Sequence, residues 1–395
     1  MKVKPADRAC SVQEYYFSSK LRQIDDMRRS GIDVINLGIG SPDQPPSEKT
    51  IKRLSEEAFK PSVHGYQSYS GSPVLRKAFA GWYLKYFNVG LDPEGEILPL
   101  MGSKEGIMHI SMAFVNPGDE VLVPDPGYPT YSSATTLAGG ILRTYDLLEK
   151  NRWLPDLSRI EQSGIEKVKL MWINYPHMPS GAKANRDIFE KLVLFADRHE
   201  ILLCNDNPYS FILNKEYLSI LSTDGAKETA IELNSLSKSH NMAGWRIGMA
   251  ASNREYISTV LRVKSNMDSG MFLPMQLAAA EALENPESWY EGINSIYRER
   301  RIIAEGIMKV LGCTFDREQT GLFLWGRLPE SSVDCEKFSD DLLLKSGVFI
   351  TPGFIFGKNG HGYIRISLCS KAELLEKARI KVREFVKKRE DKSGL

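Results

Sequence analysis

The sequence predicts an α/β protein: a large domain built on a mostly parallel sheet, joined to a smaller α+β domain. Three observations carry this expectation. Short β-rich apolar runs alternate with amphipathic helical patterns through most of the chain. The pattern changes after about residue 285. And the 395 residues exceed the ~100–200 that one hydrophobic core usually organises.

The apolar runs are Val121-Leu122-Val123, Leu170-Met171-Trp172-Ile173, Ile201-Leu202-Leu203-Cys204, Ala230-Ile231-Glu232-Leu233 and Ile247-Gly248-Met249-Ala250. Between two of them, Asp187 to His199 places Ile188, Phe189, Leu192, Val193, Phe195 and Ala196 on one helical face. Strands alternating with helices indicate a buried parallel sheet. Beyond residue 285 a long helix, Trp289 to Leu311, leads to strand candidates at Gly321–Gly326 and Tyr363–Leu368, and a charged helix follows. The expected division is a large domain over 42–285 and a small domain over 286–395, joined by the N-terminal segment 1–41. The charged last residues are expected to fray.

Composition excludes several classes. Hydrophobic residues make up 42%, charged residues 26%, and net charge is +1, so neither nucleic acid nor an anionic membrane is an expected partner. No run reaches the ~18 apolar residues of a spanning helix, and the N-terminus has no secretory signal pattern. Five scattered cysteines show neither CxxC nor Cys/His ligand spacing, so no metal site or disulfide framework is expected. A cytoplasmic location follows from the same usage.

The chemistry-bearing segments sit at strand ends. In Asn234-Ser235-Leu236-Ser237-Lys238, Lys238 follows an apolar strand and is flanked by hydroxyls. A lysine amine forms Schiff bases with carbonyls, and burial near other cations lowers its pKa. Ser235 and Arg246 can both reach one phosphate. Alone, this motif far more often describes a surface lysine in a polar loop. Asp206, in Asn205-Asp206-Asn207-Pro208-Tyr209, stands where open α/β sheets bind ligands. A carboxylate there pairs with a protonated pyridine nitrogen, and Tyr209 can point its hydroxyl at a phenolic oxygen. The same residues also read as an Asx-turn before Pro208. Ser103 and Lys104 open a helix after Gly102, presenting free N–H groups to an anion, although a plain serine cap looks alike. Tyr128, held between Gly127 and Pro129, can stack on a planar heterocycle.

Taken in order, these segments resemble the class I/II (fold type I) pyridoxal-phosphate-dependent aminotransferases, from about Asn36 to Leu368. The resemblance implies that Lys238 forms a Schiff base with pyridoxal phosphate and moves the substrate's α-proton. It implies that Asp206 keeps the ring nitrogen protonated, Tyr209 bonds the phenolic oxygen and Tyr128 stacks on the ring. Ser103, Lys104, Ser235 and Arg246 would hold the phosphate. Tyr66 matches the tyrosine that reaches the neighbouring subunit's phosphate, so a homodimer with shared active sites is implied. Arg365 matches the arginine that clamps the substrate α-carboxylate, and Gly40 the glycine beside it. Tyr15, ahead of the Gly40 segment, falls where the family places a substrate-covering helix. Substrates would be an amino acid and a 2-keto acid. The pattern Tyr-x-Phe with Leu-Gly-Ile-Gly-Ser-Pro-Asp is similar to LL-diaminopimelate and related aminotransferases, while aspartate, methionine, aromatic and branched donors stay open.

One departure stands out. Where the family has an asparagine that donates to the cofactor's phenolic oxygen, this chain has Met178, whose thioether cannot donate. Asn174, His177 or a water would have to substitute. Two other activities fit the same residues: a β-lyase eliminating a leaving group, and a non-catalytic cofactor-binding relative. Regulators of the second kind usually carry a winged-helix segment first, and the segment 1–37 ahead of Gly38 is too short for one.

Overall fold

The computed structural model describes residues 2–329 and 334–393. Twelve strands are present among them. In chain order they are β1 (Ile35–Asn36), β2 (Ile97–Leu100), β3 (Glu120–Asp125), β4 (Ile141–Asp146), β5 (Val168–Ile173) and β6 (Leu202–Asp206). Then follow β7 (Ala230–Ser235), β8 (Gly248–Ala251), β9 (Phe323–Arg327), β10 (Val348–Phe349), β11 (Thr351–Pro352) and β12 (Tyr363–Ser367).

Seven strands form one sheet in the order β2-β8-β7-β6-β5-β3-β4. The pairs from β7 to β4 are parallel, while β8 runs antiparallel to both β2 and β7. The sheet is therefore mostly parallel, as the apolar runs predict. The central strands β6 and β7 are buried throughout, because helices cover both faces. Strand β4 is an edge whose one buried residue is Tyr145, and its mixed polar and apolar residues hide it from an apolar-run search.

Helices pack on the sheet as their periodicity dictates. The helix Arg186–Arg198 buries the same six residues the periodicity picks out, and the Asn185 side chain caps its start by accepting from the Ile188 N–H. The helix Ser103–Phe114 lies so close to the sheet that a Cβ at Gly106 would stand 2.7 Å from both Leu100 and Leu233. The predicted long helix spans Glu287–Val310. The C-terminal helix continues from Ala372 to Ser393, so the expected fraying does not begin before Ser393.

The smaller sheet is antiparallel, in the order β11-β12-β9. Strand β1 pairs with β10, which brings Ile35 opposite Val348 and ties the N-terminal segment to the C-terminal third. Among the described residues no helix is long and apolar enough to cross a membrane. All five cysteines are free.

Candidate active site

Parallel strands all end on the same edge of their sheet, and the residues just past those ends meet there. Asp125 ends β3, Asn174 follows β5, Asp206 ends β6, and Ser235 ends β7 three residues before Lys238. From the smaller sheet, Phe323 and Arg365 face the same space, a cavity of about 270 Å³. The cavity is lined by Lys238, Asp206, Tyr209, Tyr128, Ser103, Lys104, Asn174, Met178, Ser235, Arg246, Gly40, Tyr15 and Arg365. Of the residues singled out from sequence, only Tyr66 is absent from that lining; it is 94% exposed on its own chain.

Lys238 rides on one helical turn, Leu236–Ser239, whose start is capped by Ser235 Oγ accepting from the Ser237 N–H at 3.2 Å. Its Nζ donates to the Gly40 carbonyl at 2.5 Å, an arrangement that leaves the amine inside the cavity. Burial holds this amine below its ordinary value, and Arg365 and Arg246 push the same way.

Asp206 is buried at the opposite wall. Its Oδ2 accepts from the Tyr131 hydroxyl at 2.9 Å, while Oδ1 is buried without any hydrogen-bond partner. Burial pushes this carboxyl up to about 6, against the lowering effect of the Tyr131 bond. Tyr131 itself is fixed by stacking on Trp172, with centroids 5.1 Å apart and planes within 7°. The Tyr209 hydroxyl makes no hydrogen bond among the described residues, and the side chain lines the cavity; burial raises its pKa.

A helix N-terminus and two cations meet at another part of the lining. Ser103 is the first residue of its helix, preceded by Gly102 with φ +83°. A Cβ at Gly102 would collide with the Arg246 guanidinium, so only glycine lets that cation approach the helix N-terminus. Ser103 Oγ is buried without a partner. Arg246, itself at φ +57°, bonds the Ala243 carbonyl at 2.9 Å and stands 3.5 Å from Ser237 Oγ. The Lys104 amine has no polar partner among the described residues and lies 4.8 Å over the Tyr15 ring; burial, then Arg246, lowers its pKa.

Arg365 sits in mid-β12, fully buried with no carboxylate beside it. Its guanidinium lies 3.8 Å from the Phe323 ring centroid, 4.7 Å from Phe356 and 5.6 Å from Phe17. It donates to the Gly38 carbonyl at 2.8 Å and to Met178 Sδ at 3.2 Å, and Nε has no partner. Burial lowers its pKa to about 10. A buried cation with weak partners is a prepared receptor for an anion.

The expected substitutes for a donor at Met178 are engaged elsewhere. Asn174 Oδ1 accepts from the Met178 N–H at 2.8 Å and its Nδ2 donates to the Asp206 carbonyl. His177 is bonded to Ser180 Oγ at 2.7 Å and the Pro126 carbonyl at 3.1 Å. Asn174 thus braces the wall with its oxygen and one of its two amide N–H groups, and it lines the cavity.

Tyr131 and Ser237 have no role assigned from sequence, although Ser237 stands inside the Asn234–Lys238 segment. Nor do Phe323 and Phe356, and Phe17 enters only through the Tyr-x-Phe pattern. Elsewhere Glu105, His109 and Asp268 converge within 4.8 Å, but Lys264 Nζ, 2.6 Å from Asp268 Oδ1, already supplies the cation there.

The fold and this cavity define a fold type I enzyme, the architecture of pyridoxal-phosphate transferases. The aminotransferase class I and II profile matches residues 32–380, and the chain belongs to that family. It is 40% identical to an LL-diaminopimelate aminotransferase of Natranaerobius thermophilus, over 97% of this chain and 100% of that one. It is 41% identical to the Aquifex aeolicus protein of the same name, over 96% and 98%. Among solved structures, substrate-bound BacF from Bacillus subtilis superposes with a TM-score of 0.92 at 35% identity, covering 97% and 98%. A probable N-succinyldiaminopimelate aminotransferase from Thermus thermophilus gives 0.87 at 35% identity, covering 93% and 99%. The chain is a transaminase of this family, moving an amino group between an amino acid and a 2-keto acid. None of these relatives is named a lyase, and the β-lyase and non-catalytic readings gain no support.

Proposed function

We propose that the cavity binds pyridoxal phosphate and that the amino donor carries a second carboxylate, as LL-diaminopimelate does. The observation that carries the cofactor reading is Asp206 Oδ1, a buried oxygen without a partner in the same cavity as Lys238 and Arg246. It fits a protonated ring nitrogen. Ser103 Oγ, the helix N-terminus and Arg246 fit a phosphate at the other end.

Bound there, pyridoxal phosphate supplies a carbonyl that captures amines and a ring that absorbs the charge left on the α-carbon. Lys238 is the group that takes the proton from the substrate α-carbon and returns it, and its lowered pKa suits that task. Asp206 holds the ring-nitrogen proton, with Tyr131 orienting its carboxylate. Tyr128 covers the ring face and Tyr209 donates to the phenolic oxygen. Arg365 pairs with the α-carboxylate beside Gly40, and Phe17, Phe323 and Phe356 keep water from that pair. Lys104 is the cation left over for a second carboxylate.

The relatives' names support the substrate reading. A panel of amino donors against 2-oxoglutarate, pyruvate and oxaloacetate tests it. LL-diaminopimelate is expected to give the highest kcat/KM, and preference for an aromatic or branched donor would overturn it.

We further propose a homodimer in the cytoplasm, divided into a large domain over 42–285 and a small one formed by 1–41 and 286–395. Support for the dimer is an exposed apolar face. Tyr66, Tyr69, Met267 and Phe272 are all exposed, and Gly270 packs on the Gln67 and Ser68 backbone, which brings the two segments together. Sedimentation should give twice the chain mass.

A further inference from the structure

The strap 353–360 carries Phe356 to the Arg365 guanidinium, and it is tied down from across the molecule by one buried carboxylate. Asp125, at the end of β3, accepts from the Asn359 N–H on Oδ1 at 2.9 Å and from the Lys358 N–H on Oδ2 at 3.2 Å. The Asn359 side-chain amide donates back to the Asp125 carbonyl at 3.0 Å and to Asp146 Oδ1 at 2.7 Å. Lys358 Nζ adds an ion pair to Asp146 at 3.2 Å, and the Gly127 N–H donates to the Phe356 carbonyl at 2.7 Å. Asp125 and Asp146 are register partners on β3 and β4, so both anchors belong to the large sheet. Gly357, at φ +132°, leaves no room for a Cβ against Asp125.

The strap touches the substrate end of the cavity at two places. Phe356 lies 4.7 Å from Arg365 and edge-on to Trp325. Phe354 packs edge-on against Tyr16 at 5.6 Å, next to the cavity residues Tyr15 and Phe17. We propose that Asp125 is a positioning residue for the substrate carboxylate: it holds the strap so that Phe356 covers Arg365 and excludes water from the pair that forms there. An ion pair in a water-free site is far stronger than one in solvent, so a strap displaced by an ångström weakens carboxylate binding without touching the chemistry. This rests on Arg365 being the carboxylate anchor.

The test uses the holoenzyme, five single-site variants and one double variant. Asp125→Ala is expected to raise KM for both amino donor and keto acid about tenfold, with kcat within about threefold and the cofactor's visible absorbance unchanged. Asp125→Asn should fall between, because its carboxamide can accept one of the two N–H bonds and opposes the other. The dissociation constant of maleate, a non-reacting dicarboxylate, should rise with KM. Phe356→Ala should raise KM by a similar factor, and adding Asp125→Ala to it should cost little more. If Asp125→Ala fails to fold, Asn359→Ala, which keeps the two backbone bonds, carries the same test with a smaller expected rise. Unchanged KM and maleate binding would overturn the proposal, as would additive effects in the cycle. Arg365→Lys separates the two readings: if it leaves KM unchanged, the anchor assignment itself is wrong.

Discussion

Tyr131→Phe removes one hydroxyl and little else. The ring stack on Trp172 is retained, and the lost hydroxyl donates to Asp206 Oδ2, at 2.9 Å. A hydrogen bond to a charged group contributes ~1.5–3 kcal/mol, equivalent to about one to two pKa units. The Asp206 carboxyl of the unliganded protein already stands at about 6 because burial disfavours its charge. Without the Tyr131 hydroxyl it moves further up, and more of it is protonated at neutral pH. A protonated carboxyl no longer favours a protonated ring nitrogen. The expected result is a loss of roughly 10- to 100-fold in affinity for pyridoxal phosphate, with kcat/KM falling in parallel and partly recovered at higher pH. Cofactor affinity is read by titrating apoprotein, and kcat/KM by a pH profile. If both stay within about twofold of wild type, Tyr131 does not govern Asp206 and the reasoning fails.

Other outcomes follow from the same geometry. Arg365→Lys replaces a planar fork with a point charge, and should cost kcat/KM roughly 10- to 100-fold for every donor, mostly in KM; steady-state kinetics decides. Asp206→Asn should stabilise the apoprotein at neutral pH. A folded pKa of about 6 lies above the unfolded value, so wild type loses stability as pH rises from about 4 to 6, by up to ~3 kcal/mol, and the variant does not. The gap between their melting temperatures should appear above pH 6 and close below pH 4; an equal gap at both would refute it. Met178→Asn adds a donor near the phenolic oxygen, where Asn174 and His177 are already engaged. It competes with the Lys238 linkage proton for that oxygen, so the pH midpoint of the visible spectrum should fall by about one to two units. Coincident curves would sink the idea.

The parts of the site that are legible in sequence are those carried by strand ends. An apolar run followed by a polar residue type is a local pattern, so Lys238, Asp206 and Ser235 stand out before any fold is known. The antiparallel partner β2 contains Pro99, and the edge strand β4 mixes Arg143 and Thr144 with apolar residues; neither reads as a buried run. The aromatic enclosure of Arg365 brings in Phe17 from over 300 positions away, and no local pattern announces it. The partnership of Tyr131 with Asp206 is likewise hidden, since the bond spans 75 positions. Asn174 is a donor candidate from sequence, and only the packed wall reveals that its oxygen and one of its two amide N–H groups are spent on backbone.

The central claim is that Lys238 is the lysine that joins the cofactor. Borohydride reduction of the enzyme loaded with pyridoxal phosphate locks that linkage, and peptide mapping then locates it. One adduct per chain is expected, on the peptide that carries Lys238, with none in Lys238→Ala. An adduct on Lys104 or another lysine, or a Lys238→Ala protein that is still labelled and still transaminates, would contradict it.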